Sequence, residues 1–164
     1  MRLATVDARV GRVTRGALAA RGRRFALLAS RFNEYVTQRL VDGAVDTLCS
    51  HGARRSDIHL TWVPGAFELP LAAQRVAQQR NTDAIICLGV IIRGGTPHFE
   101  YIASQAAAGI AQVALTARIP VLFGVLTTET LAQAIDRAGG KMGNKGRDAA
   151  LAAIEMARVA KPRR

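Results

Sequence analysis

Ala84-Ile85-Ile86-Cys87-Leu88-Gly89-Val90-Ile91-Ile92 runs nine residues without a charge. A continuous apolar run of this length, rich in β-branched residues, predicts a strand buried on both faces, as in parallel sheets. Arg93-Gly94-Gly95-Thr96-Pro97 breaks it, and a helix follows with Phe99, Ile102, Ala103, Ala106, Ile110 and Val113 on one face. The same alternation continues in both directions. Upstream, Phe25 to Ala29 reads as a buried strand, and Asn33 as the cap of a helix with the stripe Val36, Leu40, Val41, Ala44, Val45 and Leu48, closed by Gly52. Ile58 to Val63 reads as a strand stopped by Pro64-Gly65, with a helix from about Phe67 to Gln79 that tolerates Pro70 in its first turn. Downstream, Pro120 to Leu126 is a fourth strand, and Thr130 and Gln133 have capping-box spacing. Gly139-Gly140 and Gly143 mark a loop, and Asn144 opens a last, alanine-rich helix. Four repeats of strand then helix predict a three-layer α/β/α sandwich on a four-stranded parallel sheet, flavodoxin-like in plan.

The chain has 164 residues, the size of one domain. It divides into a basic N-terminal arm (1–22), one α/β domain (23–160) and a basic tail (161–164). An apolar content of 49% excludes a disordered chain. No uncharged apolar stretch approaches the roughly 18 residues of a membrane span. No secretory leader is expected either, because the arginine-bearing start lacks a continuous apolar segment. Cys49 and Cys87 match no metal or redox spacing, and a reducing, cytoplasmic setting suits both.

The net charge of +11 invites a nucleic-acid partner. Arg2, Arg9, Arg12, Arg15, Arg21, Arg23 and Arg24 crowd the arm, however, and Lys161, Arg163 and Arg164 sit at the other end. They read as solvated tails, with weak polyanion binding at low salt.

In an open parallel sheet, ligands bind beyond the carboxyl ends of the strands. That rule selects four loops: Ser30 to Asn33, Pro64 to Glu68, Arg93 to His98, and Thr127 to Glu129. In the third, Gly94-Gly95 lets backbone approach an anion, Thr96 adds a hydroxyl, and a helix N-terminus follows, which together favour phosphate. A tight turn that merely needs glycine explains this loop equally well. G-x-x-x-x-G-K-[ST] and G-x-G-x-x-G are both absent. His98 lies in the first turn of the helix, where the dipole favours a neutral imidazole able to accept a proton. Its competitors are His51, at a helix end, and His59, within a strand. Arg137 and Lys145 flank the Gly-rich loop and either suits a phosphate, although helix-end capping explains them too. Phe32, Trp62, Phe67 and Phe123 lie on or beside the selected edge and suit an aromatic heterocycle, with core packing an equal explanation for Trp62 and Phe123. Glu68 is placed to complement a helix dipole. These residues describe an enzyme acting on a phosphorylated or heterocyclic small molecule, and do not name the substrate.

At the same loops the chain resembles the lumazine synthase family across about residues 15–160. The matching stretches are Ser30 to Glu34, Val63 to Pro70, Gly89 to Ile102, Gly124 to Thr127 and Arg137 to Gly146. The resemblance implies condensation of 5-amino-6-(D-ribitylamino)uracil with 3,4-dihydroxy-2-butanone 4-phosphate to 6,7-dimethyl-8-ribityllumazine, without metal or organic cofactor. It implies that Phe32 stacks on the pyrimidine, Ala66, Phe67 and Glu68 contact its ring and ribityl chain, and Val90, Ile91 and Ile92 give it backbone contacts. It also implies that Gly95, Thr96 and Arg137 hold the phosphate, His98 shuttles protons, and Lys145 supplies a nearby cation. Phe123 would come from a neighbouring subunit, and Asp148 falls where the family carries a carboxylate. Partners would be small-molecule substrates and copies of the same chain, in a pentamer or a 60-subunit shell, with the N-terminal arm able to join a neighbour. Two rivals are a riboflavin synthase of similar fold, which needs no phosphate site, and a nucleic-acid-binding scaffold that uses the arm.

Overall fold

The computed structural model describes residues 13–160, so the first twelve residues of the arm and the tail 161–164 lie outside the described residues. Four strands, β1 (Phe25–Ser30), β2 (Ile58–Val63), β3 (Ala84–Ile92) and β4 (Val121–Thr128), form one parallel sheet in the order β2-β1-β3-β4. The helices are α1 (Glu34–Ser50), α2 (Leu69–Gln78), α3 (His98–Thr116), α4 (Leu131–Arg137) and α5 (Lys145–Ala160).

Side-chain alternation on the central strands builds two cores. Phe25, Leu27, Ala29, Ile86 and Leu88 meet Leu40, Ala44 and Leu48 of α1 and Ala153 and Ile154 of α5 on one face. Ala26, Leu28, Ile85 and Cys87 meet Leu69 and Ala73 of α2 and Ala106 and Ile110 of α3 on the other. The result is the expected three-layer, flavodoxin-like sandwich. No helix among the described residues is long and apolar enough to cross a membrane.

Chain direction across the sheet reverses between β1 and β3. β1 pairs with β3 only from Phe25↔Ala84 to Ala29↔Leu88, whereas β3 stays paired with β4 up to Ile92↔Thr128. The upper part of β3 therefore has no strand on its β1 side. This notch is the crevice where open α/β sheets take ligands.

The local readings need four corrections. Asn33 stands at the start of α1 but does not cap it with its side chain. It adopts a left-handed backbone (φ 62), and its amide Nδ2 donates to the Val90 carbonyl at 3.1 Å, tying the β1–α1 loop to the unpaired top of β3. The helix expected from Phe67 begins as a 3-10 turn, Ala66–Glu68, before α2 proper, with Pro70 in the first turn as anticipated. The fourth strand starts one residue later and runs two residues further than Pro120 to Leu126, because its register with β3 continues. The Gly-rich loop is a two-stranded antiparallel ribbon, β5 (Ala138–Gly140) and β6 (Gly143–Asn144), with Gly139 at φ 108 and Gly143 at φ 78. Asn144 does open α5. Its Oδ1 accepts from the Gly146 and Arg147 N–H groups at 2.8 and 3.1 Å, while its Nδ2 donates to the Arg39 carbonyl at 2.9 Å. Beside it, a Cβ on Gly146 would fall on the Leu40 carbonyl, so α1 and α5 meet backbone to backbone.

Candidate active site

A cleft of about 450 Å³ opens over the notch. Phe32, Ala66, Phe67, Glu68, Val90, Ile91, Ile92, Thr96 and His98, all singled out in the sequence, line it together. Phe32 is 72% and Phe67 56% exposed, so neither ring contributes to the core. Large apolar rings left in water at a concave site suit a flat heterocycle, which regains their burial by stacking. The Val90 carbonyl points toward β1, where Asn33 meets it, and the Arg93 N–H points toward β4, donating to the Thr128 carbonyl at 2.9 Å. By strand alternation, Ile92 turns its backbone groups to the open notch and Ile91 turns them to β4. Ile91 thus contributes lining surface, while Val90 and Ile92 offer backbone partners.

The loop between β3 and α3 has its own anchor. The Arg93 guanidinium donates from Nε to Glu129 Oε2 at 2.6 Å and from a terminal nitrogen to Glu100 Oε1 at 3.2 Å. Its Cζ lies 4.4 Å from the centroid of the Phe99 ring. The two carboxylates, Glu129 first, hold the arginine pKa above its ordinary value. Between this anchor and α3, Gly94 and Gly95 have no positive φ, and an added Cβ would meet nothing within 4 Å. A turn that requires glycine is therefore not the explanation for this pair. Their bareness leaves backbone N–H groups accessible from outside. No side chain caps α3, and neither Thr96 nor His98 makes a side-chain hydrogen bond among the described residues. Donors and a free imidazole thus stand at one helix start, a place that favours anions. Gly95 does not itself line the cleft.

Phe123, Arg137 and Lys145 are elsewhere. They line a second cleft of about 430 Å³ along the outer edge of β4, with Thr127 and Asp148. Phe123 is 47% exposed, so core packing does not explain it, whereas Trp62 packs partly buried against the core. Arg137 donates to the Gln133 carbonyl at 3.1 Å from one nitrogen, and Lys145 meets Asp148 at 2.7 Å. One protomer therefore presents two separate clefts. Among the described residues no group of His, Cys, Asp and Glu is disposed to hold a metal ion.

The family model described as 6,7-dimethyl-8-ribityllumazine synthase matches residues 22–161, which includes every residue of both clefts. The chain belongs to the 6,7-dimethyl-8-ribityllumazine synthase family. This is a family of transferases in riboflavin biosynthesis, and membership brings small-molecule substrates and oligomeric assembly. His51 and His59, weighed against His98, lie outside both clefts. The His51 Nδ1 is 2.7 Å from the Thr47 carbonyl, and His59 stands on the edge strand β2. Two contributors escaped the sequence reading. Asn33 reads locally as a helix cap, and only the fold brings it to Val90. Arg93 reads as a strand breaker, and the signal available was its shared place with Glu129 among the four loops at the strand ends.

Proposed function

We propose that this protein condenses 5-amino-6-(D-ribitylamino)uracil with 3,4-dihydroxy-2-butanone 4-phosphate to 6,7-dimethyl-8-ribityllumazine, releasing phosphate and water. The observation that carries this reading is the convergence, in one cleft, of two exposed aromatic rings, an unpaired strand end and a bare helix start beside His98. In this reading Phe32 stacks on the pyrimidine, and Ala66, Phe67 and Glu68 hold the ring edge and ribityl chain. Val90 and Ile92 offer backbone hydrogen bonds, with Ile91 packing beneath. Gly95 and Thr96 direct N–H and hydroxyl donors at the phosphate, joined by Arg137 and Lys145.

The chemistry asks little beyond this. The uracil amine attacks the ketone, and water leaves as the C=N bond forms. Loss of a proton from the carbon next to the imine lets phosphate depart with its bonding electrons as a C=C bond forms. Tautomerisation leaves a ketone at that carbon, and the second amine adds to it and closes the ring as a second water leaves. Each step moves a proton, and His98 is the base in reach, worth roughly 10²–10⁴-fold. Holding two substrates together lowers the entropic barrier further. Departing phosphate meets cations and N–H donors where negative charge accumulates.

Because Phe123, Arg137 and Lys145 line the other cleft, a complete site takes them from an adjacent protomer. A head-to-tail contact of this kind closes into a ring, and a pentamer, alone or within a 60-subunit shell, is such a closed arrangement. The exposed face of α3, with Tyr101 69% and Leu115 88% accessible, supplies apolar surface for it. Mixing the purified protein with both substrates while following lumazine fluorescence and released phosphate tests the reaction. Joint appearance of both products supports it; lumazine turnover to riboflavin without phosphate release would favour the riboflavin synthase type instead.

A further inference from the structure

The end of the sheet opposite the cleft is charged quite differently. The loops leading into the four strands, residues 21–24, 51–57, 79–83 and 117–120, carry seven arginines against two aspartates. The loops leaving the strands, 31–33, 64–68, 93–97 and 129–130, carry two arginines against two glutamates. Both aspartates at the basic end are engaged, Asp57 with Arg54 at 2.7 Å and Asp83 with Arg23 at 3.4 Å. Arg21, Arg24, Arg55, Arg75, Arg80 and Arg118 make no salt bridge among the described residues. Clustered unpaired charge works against the compact state, so the fold itself gives no reason for it. The last turn of α5 reaches this end too, where Arg158 donates to the Ala19 carbonyl at 2.9 Å.

Two open grooves cross this end and meet at Thr82. One, of about 510 Å³, is lined by Arg24, Arg75 and Asn81 among others, and the second, of about 550 Å³, by Arg80, Arg118 and Gln78. Guanidinium, amide and hydroxyl donors are the groups that bond phosphate oxygens along a nucleic-acid backbone. Phe25, 1% exposed, is the only Phe, Tyr or Trp lining either groove, and the exposed His59 is the one other ring, too little to stack a run of unpaired bases. The absence of exposed Phe, Tyr or Trp anchors in the grooves likewise disfavours a bilayer surface. We propose that this pole binds the phosphodiester backbone of duplex nucleic acid without reading its sequence, independently of residues 1–12 of the basic arm.

The test is fluorescence anisotropy of the full-length protein with a short labelled duplex across a salt series. Two double variants, Arg80→Gln with Arg118→Gln and Arg24→Gln with Arg75→Gln, each remove two contacts. Each should flatten the dependence of log K on log salt by about two, at the unit slope expected per phosphate contact. The corresponding lysine pairs should restore the slope, with sedimentation and circular dichroism unchanged throughout. Unaltered slopes in both double variants, with binding abolished by removing residues 1–12, would assign the affinity to the arm and overturn the proposal. Preference for anionic vesicles over duplex would overturn it as well.

Discussion

His98 stands exposed in the first turn of α3 without a side-chain hydrogen bond, so replacing it tests the proposed proton shuttle and leaves packing intact. His98→Ala should lower kcat roughly 10²–10⁴-fold while the melting temperature stays where it is. Steady-state lumazine fluorescence and a thermal melt check the two halves of that statement. Cys87 is the opposite kind of residue. It is fully buried in the middle of β3, and burial pushes its thiol up to about 12. The sign follows from the thiolate being the disfavoured form. Stability is indifferent to this group below the unfolded thiol pKa of about 8.5 and declines above it, as the unfolded chain gains a thiolate the folded one resists. A thiol reagent at mildly alkaline pH should therefore label the half-buried Cys49 in the native protein and reach Cys87 only after denaturation.

Between elements, Arg93 links the parts of the chain around the cleft. It joins the β3–α3 loop to Glu129 at the start of the β4–α4 loop and to Glu100 of α3 itself. Exposed ion pairs contribute about 0.2–1 kcal/mol each, and an arginine over an aromatic ring about as much. Losing all three contacts should therefore loosen the loop by an energy worth about tenfold in binding. Arg93→Met is expected to raise KM for the sugar phosphate by about that factor, leaving KM for the pyrimidine nearly unchanged, and Arg93→Lys to recover part of the loss. Equal changes in both constants would mean that the loop is not what Arg93 holds.

The sequence made the strands and helices of this framework legible because burial on two faces writes an unmistakable apolar run, as in Ala84 to Ile92. It also placed most of the cleft, since ligand loops follow strand ends. Asn33 and Arg93 were hidden for a physical reason. Asn33 meets Val90 across 57 residues and Arg93 meets Glu129 across 36, and no local pattern encodes such a meeting. The ribbon at Ala138 to Asn144 was missed because three glycines in seven residues look like any loop, and the Met142 N–H that ties its turn to the Asp136 carbonyl of α4 leaves no local pattern.

At the scale of the whole molecule, the proposed site is spread over two clefts. His98, Thr96 and the stacking rings belong to the notch over β3; Arg137, Lys145 and Phe123 belong to the outer edge of β4. If catalysis needs both, a lone protomer holds two incomplete sites, and each interface completes one. Damaging the two halves on different chains therefore spares some sites. Co-expressed His98→Ala and Arg137→Ala chains, mixed evenly in a closed ring, should leave roughly a quarter of the interfaces with both halves intact. The decisive measurement is the turnover of such mixed assemblies, at a sugar-phosphate concentration where each variant alone is nearly silent. Recovery toward about a quarter of the unmodified rate is the predicted result. Turnover no greater than the average of the two separate variants would contradict a site shared between subunits.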